Sequence, residues 1–148
     1  MFTTVWTKLA TGADASSSVK VAYGAIHKGS LQLLAYSGTS TTTPVQAVAT
    51  AARITSATTE TTPAVVSSGT TSWLVSLWQT RSGVVSAFTA PAGQAVRSTA
   101  IGTGGGDISA LATDSAGPVA AGSHAGLAAG LNGAAGSAVM ITVVLNAA

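Results

Sequence analysis

Four carboxylates and two histidines are the groups of this 148-residue chain best suited to acid–base or metal chemistry. The acids are Asp14, Glu60, Asp107 and Asp114. Hydrolysis by paired carboxylates requires two such groups about 5–10 Å apart. Asp14 lies in the turn-like sequence Gly-Ala-Asp-Ala-Ser, while Asp107 begins a predicted strand and Asp114 ends it. Aspartate at such positions commonly bonds to the backbone of a turn, so the sequence favours structural roles for these three residues.

A serine–histidine–aspartate triad could be drawn from His124, Asp114 and one of the many serines, but the local motif does not support it. Segment 122–126, Gly-Ser-His-Ala-Gly, places its serine one position too early for a Gly-x-Ser-x-Gly elbow. His27 precedes a Lys-Gly pair, which is typical of a solvated turn. Two isolated histidines without any cysteine do not make a metal site. The sequence therefore predicts a protein that is not an enzyme, with no catalytic residue, metal ligand or cofactor.

Charged residues make up 7% of the chain, against about 25% in a typical soluble domain. The six Lys and Arg residues are scattered, whereas nucleic-acid binding requires a cluster that neutralises several phosphates. The glycine-rich segment 102–107 lacks the Lys-Ser/Thr pair and the following helix of a phosphate-binding loop. We predict no nucleic-acid partner, and a weakly charged, hydroxyl-rich surface that favours association with other proteins.

The last thirty residues raise the question of a membrane helix, because the segment from Val119 to Ala148 contains no formally charged residue. Glycines interrupt it repeatedly, and residues 138–145 are rich in β-branched side chains that prefer strands. The first residues, Met-Phe-Thr-Thr-Val-Trp-Thr-Lys, do not have the basic and apolar regions of a signal peptide. We expect no membrane partner and no export by an ordinary signal peptide.

Aromatic side chains are the remaining candidates for a ligand or partner site, because they can stack on the apolar face of a sugar. The candidates are Trp6, Trp73, Trp78, Tyr23 and Tyr36. The alternative role for each is to fill the core. Strand geometry favours the core for Trp73 and Tyr36, and both roles stay open for Trp78. Trp78, Trp6 and Tyr36 are retained as interface or ligand candidates.

The segment Ser72 to Arg81, Ser-Trp-Leu-Val-Ser-Leu-Trp-Gln-Thr-Arg, indicates a central strand that is covered on both faces or meets a partner. With a period of two, Trp73, Val75 and Leu77 share one face, and Trp78 lies on the other. We predict that the Trp73 face fills the core. We therefore predict that Trp78 makes an inter-subunit contact, since tryptophan is common at interface hot spots.

Elsewhere the sequence predicts short strands separated by Gly, Pro and Ser turns, with almost no helix signal. The expected architecture is a single all-β domain over residues 1–148, an antiparallel β-sandwich or jelly roll. Segments 2–9, 19–25 and 31–37 are predicted strands, the last two joined as a hairpin at Gly29-Ser30. Segment 84–89 is predicted to form a second hairpin with the tryptophan strand, and segments 94–101, 107–114 and 137–145 are further strands. Segment 45–54 is left open as strand or short helix, and segments 55–62 and 122–126 are predicted loops.

An ordered series of short motifs resembles a known β-sandwich family and covers nearly the whole chain. The motifs are Val5-Trp-Thr-Lys-Leu-Ala-Thr-Gly12 followed by Ala13, Asp14 and Ala15; Leu34-Ala-Tyr-Ser-Gly38; Thr62-Pro63; Trp73-Leu-Val-Ser-Leu-Trp78; Thr89-Ala-Pro91; Arg97; Gly102-Thr-Gly-Gly-Gly106; Ala121-Gly122; and Thr142-Val-Val-Leu145. They are similar to a domain of actinobacterial secreted proteins, often found beside PKD-type modules, and of virion proteins of phages that infect those bacteria. The resemblance implies a non-catalytic protein and transfers no ligand residue to this chain.

The resemblance also leads to an expectation about assembly. Members of the family have strand sequence before the Val-Trp-Thr-Lys motif, whereas this chain starts almost on it. We expect an unpaired sheet edge that a sister subunit or a larger virion protein covers by strand addition. The expected function is that of a structural virion protein, a capsid decoration or minor capsid surface protein, made in the host cytoplasm and bound to the major capsid or tail protein. The alternative is a carbohydrate-binding or adhesive module with a polysaccharide partner.

Overall fold

Antiparallel strands account for most of the chain after residue 44 in a computed structural model that describes residues 1–25 and 27–148. A short 3-10 turn at Gly12–Asp14 precedes them. In chain order the strands are β1 (Val45–Arg53), β2 (Ala57–Thr61), β3 (Val65–Ser67), β4 (Trp73–Ser82), β5 (Phe88–Thr89), β6 (Ala95–Ala100), β7 (Asp107–Asp114), β8 (Gly122–His124), β9 (Ala128–Ala135) and β10 (Ser137–Leu145). The prediction of an all-β sandwich is confirmed.

The strands form a five-stranded sheet in the order β1-β10-β4-β7-β6, which packs against two smaller sheets. The smaller sheets have the orders β2-β9-β5 and β3-β8. The tryptophan strand β4 is the middle strand of the large sheet, as predicted, and pairs with β10 and β7. Strands β6, β7 and β10 also lie where the sequence predicted them, because each combines period-two alternation with clear turn signals at both ends.

The core lies between the large sheet and the smaller sheets, and Trp78 is at its centre. Trp78 is completely buried and packs with Leu111, Ala129, Ala138 and Met140. Its indole Nε1 donates a hydrogen bond to the main-chain oxygen of Glu60 at 2.9 Å. A second inter-sheet cluster joins Leu74, Val144 and Val65. The inner face of the large sheet is therefore the face that carries Trp78.

The prediction that the Trp73 face fills the sandwich is wrong. Trp73, Val75 and Leu77 lie on the outer face of the large sheet, where Val75 packs with Ile141 and Val143. Trp73 is only half-buried. Period two separates two faces correctly, but it does not indicate which face meets the second sheet when both are apolar. The inter-subunit role predicted for Trp78 is also wrong for the folded chain, because its side chain has no exposed surface.

The three strands predicted before residue 38 are not formed in residues 1–25 and 27–37, and neither is their hairpin. In its described residues this N-terminal arm (residues 1–37) has no strand, and its local structure consists of the 3-10 turn at Gly12–Asp14, a turn at residues 15–16 and bends at residues 24–25 and 37. A strand requires a partner ladder, and within the described residues none pairs with the arm. The arm ends at Gly38, whose φ of 72° suits glycine. There the Gly38 oxygen accepts a hydrogen bond from the Ala148 amide, at 2.9 Å.

Three further local predictions are wrong. The threonine-rich segment 55–62 contains strand β2 rather than a loop, and segment 122–126 contains strand β8. Strand β5 pairs with β9 and not with the tryptophan strand, so the chain after Gly83 crosses to the second layer instead of forming a hairpin. Segment 45–54, which the sequence left open as strand or short helix, contains strand β1.

Candidate binding surfaces

Each of the four carboxylates forms an ion pair with a different basic residue, so the acids are dispersed around the fold. The pairs are Asp14 with Lys8, Asp107 with Lys28, Glu60 with Arg53, and Asp114 with Arg97. Within the described residues, no group of three or more His, Cys, Asp and Glu side chains is arranged to hold a metal ion. Asp14 and Asp114 also accept hydrogen bonds from nearby main-chain amides, those of Thr11 and Ala116, as the sequence favoured, whereas Asp107 binds the distant Lys28.

The residues of the hypothetical triad are not brought together. Ser67, rather than Ser123, approaches His124, and the two side chains lie 2.9 Å apart. The Ser67 hydroxyl also donates to the main-chain oxygen of Ala120, at 2.9 Å. Asp114 instead accepts hydrogen bonds from Arg97 and from the Ala116 amide. His124 thus links strand β8 to β3.

A groove of about 420 Å³ opens on the outer face of the large sheet, where the arm meets the sandwich (residues 38–148, called the body below). Its lining includes Tyr36, Trp73, Arg97 and Leu145. The rings of Tyr36 and Trp73 are 6.5 Å apart in an edge-to-face arrangement. Tyr36 is therefore placed beside an aromatic neighbour and a charged one, which is a combination suited to polar ligands with an apolar face.

The Arg97–Asp114 ion pair keeps both of these side chains charged at the groove. Burial acts to raise the pKa of the Asp114 carboxyl, but the hydrogen bonds from Arg97 and the Ala116 amide outweigh it and lower that pKa. Burial and the nearby Asp114 charge raise the pKa of Tyr36, which keeps its phenol neutral. The buried Tyr36 hydroxyl makes no hydrogen bond of normal length and angle among the described residues, but it lies beside the Asp114 carboxylate, with which it shares its pKa shift. A ligand that binds this hydroxyl therefore competes with Asp114 for it.

The arm carries most of the exposed large apolar side chains in the part of the chain that the structure describes. Nine of the fifteen exposed large apolar side chains in the described residues belong to it: Met1, Phe2, Val5, Trp6, Leu9, Val19, Tyr23, Leu31 and Leu33. Phe2 is 81% exposed and Trp6 is 69% exposed. Isolated exposed apolar residues are ordinary, but a concentration of them in one segment is typical of an interaction site. The prediction of Trp6 as an interface candidate stays a prediction, now with an exposed side chain.

The arm divides into two parts according to how it is held. In the proximal part (residues 27–37), Leu34 and Tyr36 pack on the outer face of the large sheet. Lys28 Nζ lies 2.8 Å from the Asp107 carboxylate, and Gln32 donates a hydrogen bond to Ser98 at 3.0 Å. The proximal part is therefore a cover for one edge of the body.

The distal part (residues 1–25) is attached much more loosely. Among the described residues, one hydrogen bond links it to the body, from the Thr3 hydroxyl to the Gln79 side chain. Its remaining side-chain bonds are local and centre on Asp14, whose carboxylate binds Lys8 and the Thr11 amide. These bonds, the one from Lys8 first, lower the pKa of Asp14 to about 2, so the turn keeps its charge pair down to acidic pH. The distal part therefore carries its own local structure but little attachment to the sandwich.

Strand β1 forms an edge of the large sheet with unusually little protection. It has nine residues, Val-Gln-Ala-Val-Ala-Thr-Ala-Ala-Arg, of which Arg53 is the only charged one. Arg53 is turned into the molecule, where it binds Glu60 and the main-chain oxygen of Ala135. At the opposite edge, β6 is shorter, carries Arg97 and is interrupted by a bulge. Charge, bulges and short length are the usual protections of an edge strand. Strand β1 has one register irregularity, near its start between Val45 and Ala47, and is otherwise long and without an outward charge.

Sequence reasoning missed two of these features. The Arg53–Glu60 pair joins β1 to β2 across the core, but segment 55–62 was interpreted as a loop because threonine is also common in turns. The exposed arm was missed because its threonine-rich alternation is a genuine strand pattern. The signal available in the sequence was the unequal distribution of aromatics, with Phe2 and Trp6 close to the first residue.

Comparisons with known proteins return no match: no family model, no curated protein and no solved structure is similar to this chain. Among the described residues, the structure has no helix long and apolar enough to cross a membrane.

Proposed function

We propose that this chain is a non-enzymatic structural protein of a phage particle, a capsid decoration or minor capsid surface protein that binds a repeated lattice. The observation that carries the proposal is the concentration of exposed apolar side chains in the arm, with Phe2 and Trp6 the most exposed aromatics. The resemblance to virion proteins of actinobacteriophages supports it. A lattice that presents many equivalent sites adds avidity to a weak contact made by each arm.

Low surface charge fits this proposal in physical terms. With 7% charged residues, the body has little electrostatic repulsion between copies packed side by side on a particle. Its exposed hydroxyls keep such a surface hydrated without imposing long-range repulsion. The major capsid protein is the proposed partner, and a tail protein is the other candidate within the same class.

The test is to mix the purified chain with phage particles from actinobacterial hosts and measure co-sedimentation, followed by electron microscopy of the decorated particles. We expect saturable binding at a fixed number of copies per particle. The double variant Phe2→Ala/Trp6→Ala should lose most of it. Ile54→Ala is the matched control, because Ile54 is 89% exposed but lies outside the arm. Particles that carry no copy of the chain and do not take it up would refute the proposal.

Polysaccharide binding is the second candidate function, and the groove beside Tyr36, Trp73 and Arg97 is the observation that favours it. Stacking on Trp73 and hydrogen bonds to the buried Tyr36 hydroxyl would suit a sugar ring. Titration of tryptophan fluorescence with soluble cell-wall polysaccharide tests this function. Loss of binding in Trp73→Ala, with retention in Trp6→Ala, supports it, and equal binding by both variants argues against the groove.

A further inference from the structure

Among the described residues, the edge strand β1 and the first part of the arm both leave backbone hydrogen-bonding groups unpaired, and their lengths are similar. Other strands also lie at sheet edges, but β1 is the longest of them. Strand β1 pairs with β10 on one side, and within residues 1–25 and 27–148 no backbone bond crosses its other side. The first part of the arm, Phe2 to Leu9, contains no helix, turn or bend and likewise has no ladder partner among the described residues. Eight and nine residues correspond to about 26 and 30 Å of strand, at about 3.3 Å per residue.

The side chains of the two segments are complementary in size. Ala47, Ala49 and Ala51 of β1 pack toward the inter-sheet core. The exposed face of the strand carries Val48, Thr50 and Ala52, which are all small or medium in size. The arm segment carries Phe2 and Trp6, which its own chain leaves exposed. A large aromatic side chain on an added strand can fold over small neighbours on the adjacent strand, which is the type of cross-strand pair that stabilises sheets. Neither segment presents an unpaired charge to the other, since Lys8 binds Asp14 and Arg53 binds Glu60.

The chain does not satisfy its own β1 edge. The bond from Thr3 to Gln79 places the start of the arm over β4, the middle strand, and β10 lies between β4 and β1. Neighbouring strands are about 4.8 Å apart, so Thr3 lies about two strand spacings from β1. Because one side-chain hydrogen bond holds the distal part there, its release has a small cost compared with the ladder it could form.

We propose that residues 2–9 of one copy of this chain add as a sixth strand to the β1 edge of a second copy. The occupant is a second copy rather than an unrelated protein, because the unpaired strand and the unpaired edge are both present in every molecule. Each copy both donates an arm and accepts one, which builds either a closed dimer or a longer assembly. This inference does not depend on the proposed virion function. If the chain self-associates in this way but binds no phage particle, strand addition stands and the virion function fails. If the chain stays monomeric but decorates particles, strand addition fails and the virion function stands.

Single-cysteine variants test the contact directly, since the chain has no cysteine of its own. Thr4→Cys marks the arm and Thr50→Cys marks β1, and both positions are exposed and near the middle of their segments. The two variants are mixed and treated with a short bis-maleimide crosslinker. A mixed product can form only between chains, and we expect it to dominate. Thr58→Cys, exposed on the edge strand β2, is the matched control and should give little product with Thr4→Cys.

Other products identify other arrangements. A dominant Thr50→Cys homodimer would mean that two β1 edges pair with each other, and the proposal would fail. A dominant Thr4→Cys homodimer would indicate that the arms contact only each other, and the proposal would likewise fail. No crosslink at all, together with a monomer mass up to millimolar concentration, would also overturn it.

Proline distinguishes strand addition from simple apolar docking. The double variant Thr4→Pro/Val5→Pro removes two successive amide donors, one of which faces the ladder in either strand orientation. We expect self-association at least about tenfold weaker than that of Thr4→Ala/Val5→Ala, the equivalent of one to two backbone hydrogen bonds. Light scattering over a dilution series measures it. Equal association of the proline and alanine variants would show that no ladder forms.

Discussion

The N-terminal arm and the C-terminal strand β10 have similar sequence patterns but different structures. Both are rich in residues that favour strands, yet β10 pairs on both sides while the described arm residues form no strand. Strand β10 has Ile141, Val143 and Val144 buried, whereas Phe2, Val5 and Trp6 are exposed. Period-two alternation therefore indicates that a segment is able to be a strand, and a partner decides whether it becomes one.

The same comparison applies to the two tryptophans of β4. Trp78 is enclosed by the second layer of the sandwich, whereas Trp73 lies half-buried under the proximal part of the arm. If the body is the stable unit and the arm is only attached to it, a substitution should destabilise the protein more, the closer it lies to the inter-sheet core. The expected effects below run from the largest to the smallest.

Trp78→Ala should have the largest effect, a loss of about 5 kcal/mol in the free energy of unfolding. It opens a large cavity and leaves the main-chain oxygen of Glu60 without its donor. Trp73→Ala should cost about 1–2 kcal/mol, because the ring is partly exposed before the change. Urea denaturation of both variants measures the ranking. A larger loss for Trp73→Ala would mean that the outer face, with its arm, is the principal core.

The second prediction concerns the buried pair that joins β1 to β2. Glu60→Gln should cost about 3 kcal/mol, because it keeps the size of the side chain but leaves Arg53 without its carboxylate. The hydrogen bond of the carboxylate is the first cause that raises the pKa of Arg53, so this arginine stays charged. The double variant Arg53→Met/Glu60→Leu should recover most of the loss, since it leaves no buried charge. Equal free energies of unfolding for Glu60→Gln and the double variant, measured by urea denaturation, would contradict this account.

This pair also shows what the sequence could and could not predict. Strands β4, β7 and β10 were predictable because each is long, alternating and bounded by turn residues. Strand β2 was not, because Thr58 and Thr59 are exposed and the buried residue between them and Thr61 is the charged Glu60, paired with Arg53. A buried ion pair between two strands does not produce the apolar alternation that marks a strand. The choice between the two apolar faces of β4 is likewise a property of the packed layers and not of the strand.

The Arg97–Asp114 pair gives the third prediction, a pH dependence on the outer face. A carboxyl whose pKa is lowered by folding contributes stability above its unfolded value, about 3.9, and loses it as the pH falls through the lowered value. Asp114→Asn should therefore reduce the thermal midpoint more at pH 7 than at pH 3. Calorimetry at both pH values measures the difference, and an equal reduction would show that the charge of Asp114 is not what stabilises the fold.

The smallest effect on stability is expected from removal of residues 1–25. One hydrogen bond to the body and an almost fully exposed surface predict a change below about 0.5 kcal/mol, measured at dilutions where the chain is monomeric. Extending the truncation through residue 37 should produce a further clear loss, because it uncovers Val75 and Ile141 on the outer face. If the first truncation already destabilises the monomer by several kcal/mol, the distal arm is part of the fold and is not free to pair with a second copy. If it leaves the monomer intact but abolishes self-association at high concentration, the arm has the strand pattern of β10 and finds its partner in another molecule.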